Sequence, residues 1–426
     1  MLPSTLYDST PEQLKAVPAS PTSTLEMEEA SGRRLRLRAA EADELTLGEW
    51  DCAVDLLRTA FNGGPNWFSA TEVPRDHLLW KLVDYPGPTR IYLSEGDRDA
   101  DAPLLGFLGT FSRDWLVRGQ PRCGTDMVDA ALHPDIQGRV LLETFRSLRR
   151  EIPRWGDPDF CFSFASHPAL IRNRGFQGKH DLGRPLDTFV RPLDLLRFVR
   201  GERVHRPAHG SSRTRIQIEL ERRRSTKPAL ARLVAWQGRI LRQRIRRRPL
   251  DLDGVAGPTS FDVRTYERFD ERIRPFFAEA AEAFDFIQVR TPEFLNWRYV
   301  DPRSGQFTIR VAEVDGDMLG YAVLETGRAT ANLADLLVRP GRADIAHALV
   351  RDASILARES GASAIRSWMM RDHPYEALLT DLGFVRVHTS TKPVFHASPR
   401  TDPEELAFLQ HPDTRVHLML GDSDHV

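Results

Sequence analysis

The sequence predicts an α/β (α+β) protein made of two successive copies of one unit, each a mixed, mostly antiparallel sheet flanked by helices. Three observations point there. The chain has 426 residues, more than one ordinary core holds and about right for two. Four short segments recur in the same order in its two halves. The hydrophobic period also runs twice through one succession of strands and helices.

The repeat begins with Leu78-Leu79-Trp80-Lys81-Leu82-Val83-Asp84, which returns as Leu295-Asn296-Trp297-Arg298-Tyr299-Val300-Asp301 in the shared frame L-x-W-(K/R)-x-V-D. Leu104-Leu105-Gly106-Phe107 returns as Met318-Leu319-Gly320-Tyr321, and Asp129-Ala130-Ala131-Leu132-His133-Pro134 as Asp335-Leu336-Leu337-Val338-Arg339-Pro340. Ser166-His167-Pro168, with Gly175-Phe176 beyond it, returns as Asp372-His373-Pro374 with Gly383-Phe384. The interval from Asp129 to His167 equals that from Asp335 to His373, which argues for duplication.

Each copy opens with a strand, Leu35 to Arg38 and Phe261 to Tyr266. A helix follows, Glu49 to Phe61 and Asp270 to Phe284, and then a second helix carrying the tryptophan. Strands are expected at Ile91–Ser94, Leu104–Phe111 and Met127–Leu132, a helix at Val140–Arg150 and a strand at Phe160–Phe164. The second copy repeats them at Phe307–Glu313, Leu319–Glu325, Asn332–Val338, Ile345–Glu359 and Ile365–Met369. A short helix stopped by Gly, then a last strand pair, close each copy.

The units are therefore expected at residues 34–196 and 259–426, after a disordered tail over 1–33 and around a basic, partly helical linker at 197–258. The tail is rich in Pro, Ser, Thr and Glu, with neither the basic start nor the apolar centre of a secretory signal. Cys52, Cys123 and Cys161 are the three cysteines; their spacing suits neither a disulfide framework nor a metal site, so a reducing cytoplasm and no metal are expected. No apolar run approaches the roughly 20 residues of a membrane span.

The order β-α-α-β-β-β-α-β-α-β, with a strand running into an X-Pro turn before a helix, resembles the fold of the acyl-CoA N-acyltransferase (GNAT) superfamily. The resemblance covers roughly residues 35–193 and 261–420. It implies acyl transfer from acetyl-CoA or another acyl-CoA to an amine, or a hydroxyl, of an acceptor the sequence does not name. The donor pyrophosphate would lie on helix N-terminal amides. The family pattern (R/Q)-x-x-G-x-(G/A) falls on Gln137, Gly138, Arg139, Val140, Leu141 and Leu142, with the strand at Ala131 and Leu132 pairing with pantetheine. Val140 and Leu142 stand at the two glycine positions that follow Gly138. The second copy is one residue shorter there and carries Asp344 near the phosphate position. The family's activating tyrosine is replaced by Ile171 and Leu379. The first copy is thus the expected working site.

Among candidate chemical groups, Asp129 and Asp335 end the strand beside the thioester position, where a carboxylate is placed to act as general base or to bind turn amides. His133 has a suitable pKa range and occurs only in the first copy. Gly63, Gly64, Asn66 and Trp67 form a Gly-Gly-Pro loop that borders the acceptor cleft in this fold; it is a substrate loop or a rigid turn. Trp80 and Trp297 are expected to pack their own cores. Capping by Ser166 and Asp372 accounts for the His-Pro pairs. Leu420 to Asp424 is expected to be a solvated tail.

Arg222 to Arg248 alternates arginines with Leu230, Leu233, Trp236 and Ile240 and is expected to form an amphipathic basic helix. It is expected to dock on the protein itself or to touch an anionic membrane surface. No nucleic-acid motif accompanies it. Two other readings stay open. One is a non-catalytic tandem scaffold built from decayed copies. The other is a FemAB-like aminoacyl transferase, although that family's basic insertion interrupts its second domain rather than separating the two.

Overall fold

A computed structural model of the chain describes residues 24–28, 34–61, 73–96, 104–134, 158–165, 180–181, 184–194, 197–198, 260–327, 329–388, 392–397 and 401–423. The helix expected at 140–150 and the basic segment at 222–248 lie outside them. The short strand β1 (Thr24–Glu28) pairs with β2 (Arg34–Ala40), inside the stretch expected to be a disordered tail.

In β2 the alternation Arg36, Leu37, Arg38, Ala39 turns one residue type to each face, and Leu37 and Ala39 are buried. Helix α1 (Leu47–Ala60) starts in a capping box: the Thr46 side chain accepts from the Glu49 amide and Glu49 reaches back to the Thr46 amide. It buries Trp50, Ala53, Val54, Leu56 and Leu57. Helix α2 (Pro74–Leu82) has proline in its first turn. Strands β3 (Thr89–Glu95), β4 (Leu104–Val117) and β5 (Gln120–Leu132) form an antiparallel meander. β6 (Phe160–Ala165) lies parallel to β5, and β7 (His180–Asp181) and β8 (Leu186–Pro192) follow.

The second half repeats the plan with β9 (Asp262–Tyr266), α3 (Ile273–Ala280), the short β10 (Phe286–Gln288) and α4 (Pro292–Tyr299). Strands β11 (Phe307–Val314), β12 (Asp317–Glu325) and β13 (Thr330–Val338), helix α5 (Ala343–Glu359), strand β14 (Ala364–Met370) and helix α6 (Glu376–Asp381) come next. β15 (Val385–His388), β16 (Lys392–Ala397), α7 (Pro403–Ala407) and β17 (Val416–His417) end it. Helix α5 buries Ile345, Leu349, Val350 and Ala353, at three- and four-residue spacing, against β12 and β13.

Each sheet takes a closing strand from the other half. β8 lies between β14 and β15, pairing Leu186–Pro192 with Met370–Ala364, so the second sheet runs β15-β8-β14-β13-β12-β11-β9. β16 pairs instead with β6, and the first sheet runs β1-β2-β3-β4-β5-β6-β16-β7. The short β10 pairs with the far end of β4, and β17 with β10. Periodicity locates a strand but not its partner, so the last strand pair expected within each half is an exchange between halves. Phe189 accordingly lies in the second core.

The repeated tryptophans form the second tie. Trp80 and Trp297 stack at 4.7 Å and 13°. Each indole Nε1 donates to the other's main-chain carbonyl, at 2.9 Å both ways. They join the two units rather than filling separate cores, because an indole N–H buried at an apolar seam needs an acceptor and the other helix's C-terminal carbonyls supply one. Beside them His77 Nδ1 donates to the Arg303 carbonyl (2.8 Å), and Arg303 Nη1 pairs with Asp84 (2.7 Å).

Substituting Trp80→Ala is expected to cost about 3–5 kcal/mol of unfolding free energy. In a double-mutant cycle with Trp297→Ala, measured by urea denaturation, the coupling should be about 0.5–3 kcal/mol; strict additivity would mean that the pair does not tie the halves.

Candidate active site

In both sheets the ladder between two parallel strands stops early and the strands fork. β5 and β6 pair only over Gly124–Asp126 with Phe160–Phe162, and β13 and β14 only over Thr330–Leu333 with Ala364–Ser367. A bulge follows each fork. Asp129 and Ala130 face one residue of β4, and Ala334 is the extra residue opposite β12. Asp129 takes φ +52°, a left-handed conformation that Asp tolerates better than most side chains.

At the first fork Asp129 is buried, and its Oδ2 accepts from Lys81 Nζ at 2.8 Å, with both side chains 4% exposed. Ala131 and Leu132 are buried and hold the ladder to β4 opposite Phe107 and Gly106. His133 is half-buried, and its amide donates to the Leu105 carbonyl. Gln137 to Leu142, and Gly63, Gly64, Asn66 and Trp67, lie outside the described residues. So do Ser166, His167 and Ile171.

The second fork is filled by the chain's own C-terminal segment. The Met370 amide donates to the Leu418 carbonyl (3.2 Å), and Met369 bridges Met419. Leu418, Met419, Leu420, Asp422 and Ser423 are at most 1% exposed. The expected solvated tail is therefore core, and three arginines explain how its polar groups are satisfied. Arg298, the counterpart of Lys81, donates to the Gly421 and Ser423 carbonyls (3.1 and 3.0 Å). Arg113 Nη1 donates to the Asp422 carbonyl (2.9 Å), and Arg290 Nη2 lies 2.7 Å from Asp422 Oδ1. A side chain at Gly421 would collide with the Tyr299 hydroxyl and approach the Ala334 carbonyl to 3.1 Å.

Asp335, the counterpart of Asp129, is fully buried and has exchanged partners. Its Oδ2 accepts from the Tyr321 hydroxyl (2.8 Å) and Arg290 Nε (3.2 Å), and its Oδ1 from the Leu336 amide (3.0 Å). Burial alone would raise its pKa; Arg290 and His417 overcome that and hold the carboxyl well below the usual carboxylate range. A histidine pair continues the chain. The Tyr375 amide donates to His373 Nδ1 (3.0 Å), so the proton of a neutral ring sits on Nε2 and donates to His417 Nδ1 (3.0 Å). The His417 proton then lies on Nε2, 3.5 Å from Asp335 Oδ1. Burial first, and His417 second, push the His373 pKa well below the ordinary imidazole value. His373 is thus a core residue, where capping alone was expected. Tyr375 accepts the Val338 amide at the end of β13, and burial raises its pKa.

No protein-family profile matches the chain, and no curated protein matches it in sequence. Solved structures match in fold. Saccharomyces cerevisiae N-myristoyltransferase with bound myristoyl-CoA and inhibitors superposes with a TM-score of 0.54 at 13% identity, over 96% of this chain and 89% of that one. A conserved Enterococcus faecalis protein of unknown function, a probable N-acyltransferase, superposes at 0.51 and 11% identity, over 85% of this chain and 73% of that one. This chain has the GNAT-type N-acyltransferase fold. Among the described residues there are two such forks: one filled by the C-terminal segment, the other edged by Asp129, Ala131 and Leu132.

Sequence reading singled out Asp129, His133 and Asp335 but not Arg113, Arg290, Tyr321, His417 or Asp422. The one local signal was the Lys81/Arg298 pair in the repeat. The described residues include no helix long and apolar enough to cross a membrane.

Native His373 resists protonation, whereas an unfolded histidine takes up its proton near pH 6.5. Below that pH the unfolded chain binds more protons, so stability falls as pH drops. Asp335, with its lowered pKa, adds a further loss only below about pH 4. Thermal unfolding between pH 7 and 5 should therefore show His373→Gln flattening the slope by about 1.4 kcal/mol per pH unit. Gly421→Val is expected to cost about 1–3 kcal/mol by overpacking and to speed proteolytic cleavage after Met419; an unchanged cleavage rate would count against the seated segment.

Proposed function

We propose that the protein is an acyl-CoA-dependent N-acyltransferase with one donor site, in its first half. The observation that carries this reading is the asymmetry of the forks. The second is occupied by Leu418–Ser423, its β13 end amide is taken by Tyr375, and Asp344 at the start of α5 is bound by Arg342 at 2.9 and 2.7 Å. A carboxylate at that helix start repels a pyrophosphate. Among the described residues no counterpart of the C-terminal segment enters the β5–β6 fork.

In this reading the β5 edge at Ala131 and Leu132 pairs with pantetheine, and the amides of Gln137 to Leu142 hold the pyrophosphate. Orientation and backbone stabilisation of the oxyanion carry the reaction. Asp129, fixed by Lys81, keeps the bulge in its left-handed turn. His133, at the strand end, accepts the proton released as the amine attacks the thioester carbonyl; the carbon–sulfur bond then breaks, and coenzyme A leaves as the thiolate that this proton neutralises. The acceptor loop is Gly63 to Trp67, and the basic segment at 222–248 docks on the protein or on an anionic membrane. The scaffold reading rests on Ile171 and Leu379 where the fold's tyrosine usually stands.

Calorimetric titration with acetyl-CoA and longer acyl-CoAs should show about one equivalent per chain, lost in Gly138→Trp. Binding of no donor would favour the scaffold; two equivalents would refute the closed second fork.

A further inference from the structure

Asp126 and Asp335 stand at corresponding forks. Asp126 opposite Phe162 is the last pair of the β5–β6 ladder, and Asp335 lies two residues beyond the last pair of β13–β14, Leu333 with Ser367. A continuous run of buried side chains joins them. Arg113 Nη2 donates to Asp126 Oδ2 at 2.8 Å, and its Nη1 donates to Gln288 Oε1 (2.8 Å) and to the Asp422 carbonyl (2.9 Å). Asp422 Oδ1 lies 2.7 Å from Arg290 Nη2, and Arg290 Nε reaches Asp335 Oδ2 at 3.2 Å. No side chain among these ion pairs is more than 3% exposed.

Arg113 is the member of the run that reaches the first fork, and it touches three separate segments: β5 at that fork, β10 of the second half, and the C-terminal segment. Its guanidinium also lies 4.5 Å from the Phe111 ring centroid, which fixes its plane. A planar fork held by three acceptors cannot follow one of them without pulling on the others. If the β5 edge shifts when a ligand enters the first fork, the carbonyl of Asp422 feels it, and with it the seat of Leu418–Ser423 some way into the other half. The same geometry works in reverse, since coupling between two sites is reciprocal.

We propose that Arg113 is a positioning residue that couples the donor fork of the first half to the seating of the C-terminal segment in the second, so that a bound donor tightens that segment. This rests on the first fork being the donor site. The coupling passes through Arg113 because its two terminal nitrogens reach Asp126, Gln288 and Asp422 together. A lysine keeps the charge facing Asp126 but offers a single nitrogen and cannot span all three.

Hydrogen exchange on the full chain, with and without saturating acetyl-CoA or myristoyl-CoA, tests it. The amides of Leu418–Ser423 should exchange about tenfold more slowly when a donor is bound. In Arg113→Lys the donor should still bind, but that protection should vanish. Asp126→Ala, which removes the acceptor of Arg113 Nη2 at the first fork, should lose it too. Protection retained in both variants, or a donor that binds the native chain without slowing exchange at Leu418–Ser423, would overturn the coupling. Absence of donor binding to the native chain, read first by titration, would instead overturn the donor site itself and remove the basis of the coupling with it.

Discussion

Three arginines and three aspartates are buried where the two halves meet, and the architecture depends on each of them finding its partners there. Arg113 faces Asp126 and the Asp422 carbonyl, Arg290 faces Asp335 and Asp422, and Arg298 faces the Gly421 and Ser423 carbonyls, all six side chains at most 4% exposed. Taking such charges out of water costs several kcal/mol per ion, recovered only when every group finds a partner in good geometry. The partners come from β4, β5, the β10–α4 connection, β13 and the C-terminal segment. None of these is complete without the others, so the ion cluster, the exchanged strands β8 and β16 and the Trp80–Trp297 stack make the two copies one cooperative body.

The difference between the two halves shows in the same residues. Lys81 and Arg298 hold one place in the repeat, as do Asp129 and Asp335. In the first half the lysine meets its aspartate directly. In the second, Arg298 turns to the carbonyls of the C-terminal segment, and Asp335 is met by Arg290, a residue with no counterpart in the quoted repeat. The seated segment thus goes with a different ion network. Leaving any of these buried charges unmatched is costly, so the partners of Asp335, Arg298 and Asp422 stand or fall together.

This asymmetry bears on function because the fold offers the same cleft twice. A cleft lined by Met369, Met419 and Leu420, with its strand amide taken by Tyr375, is part of the core. The fork bordered by Ala131 and His133 keeps its strand end beside a half-buried, titratable side chain. GNAT folds serve many acceptors, and shape alone does not choose among them. The buried relay from Tyr375 through His373 and His417 to Asp335 is read as structural: it fixes ring tautomers and the seat of β17, away from solvent.

The sequence by itself determined the units of the structure. Period, caps and the repeat located the strands β2 to β6 and β11 to β14, the helices α1 and α5, and the GNAT resemblance, because these features are local and their signal lies within a few residues. It also placed Asp129, His133 and Asp335 near the strand ends that matter. Only the tertiary structure decided which sheet receives β8 and β16, that Trp80 and Trp297 face each other, that His373 is buried against His417, and that Leu418–Ser423 is core. Each of these depends on a partner more than 40 positions away. A strand, an indole or a Leu-Gly-Asp-Ser segment has the same local pattern whichever partner satisfies it, and the choice is made by which assembly leaves no buried charge or amide unpaired.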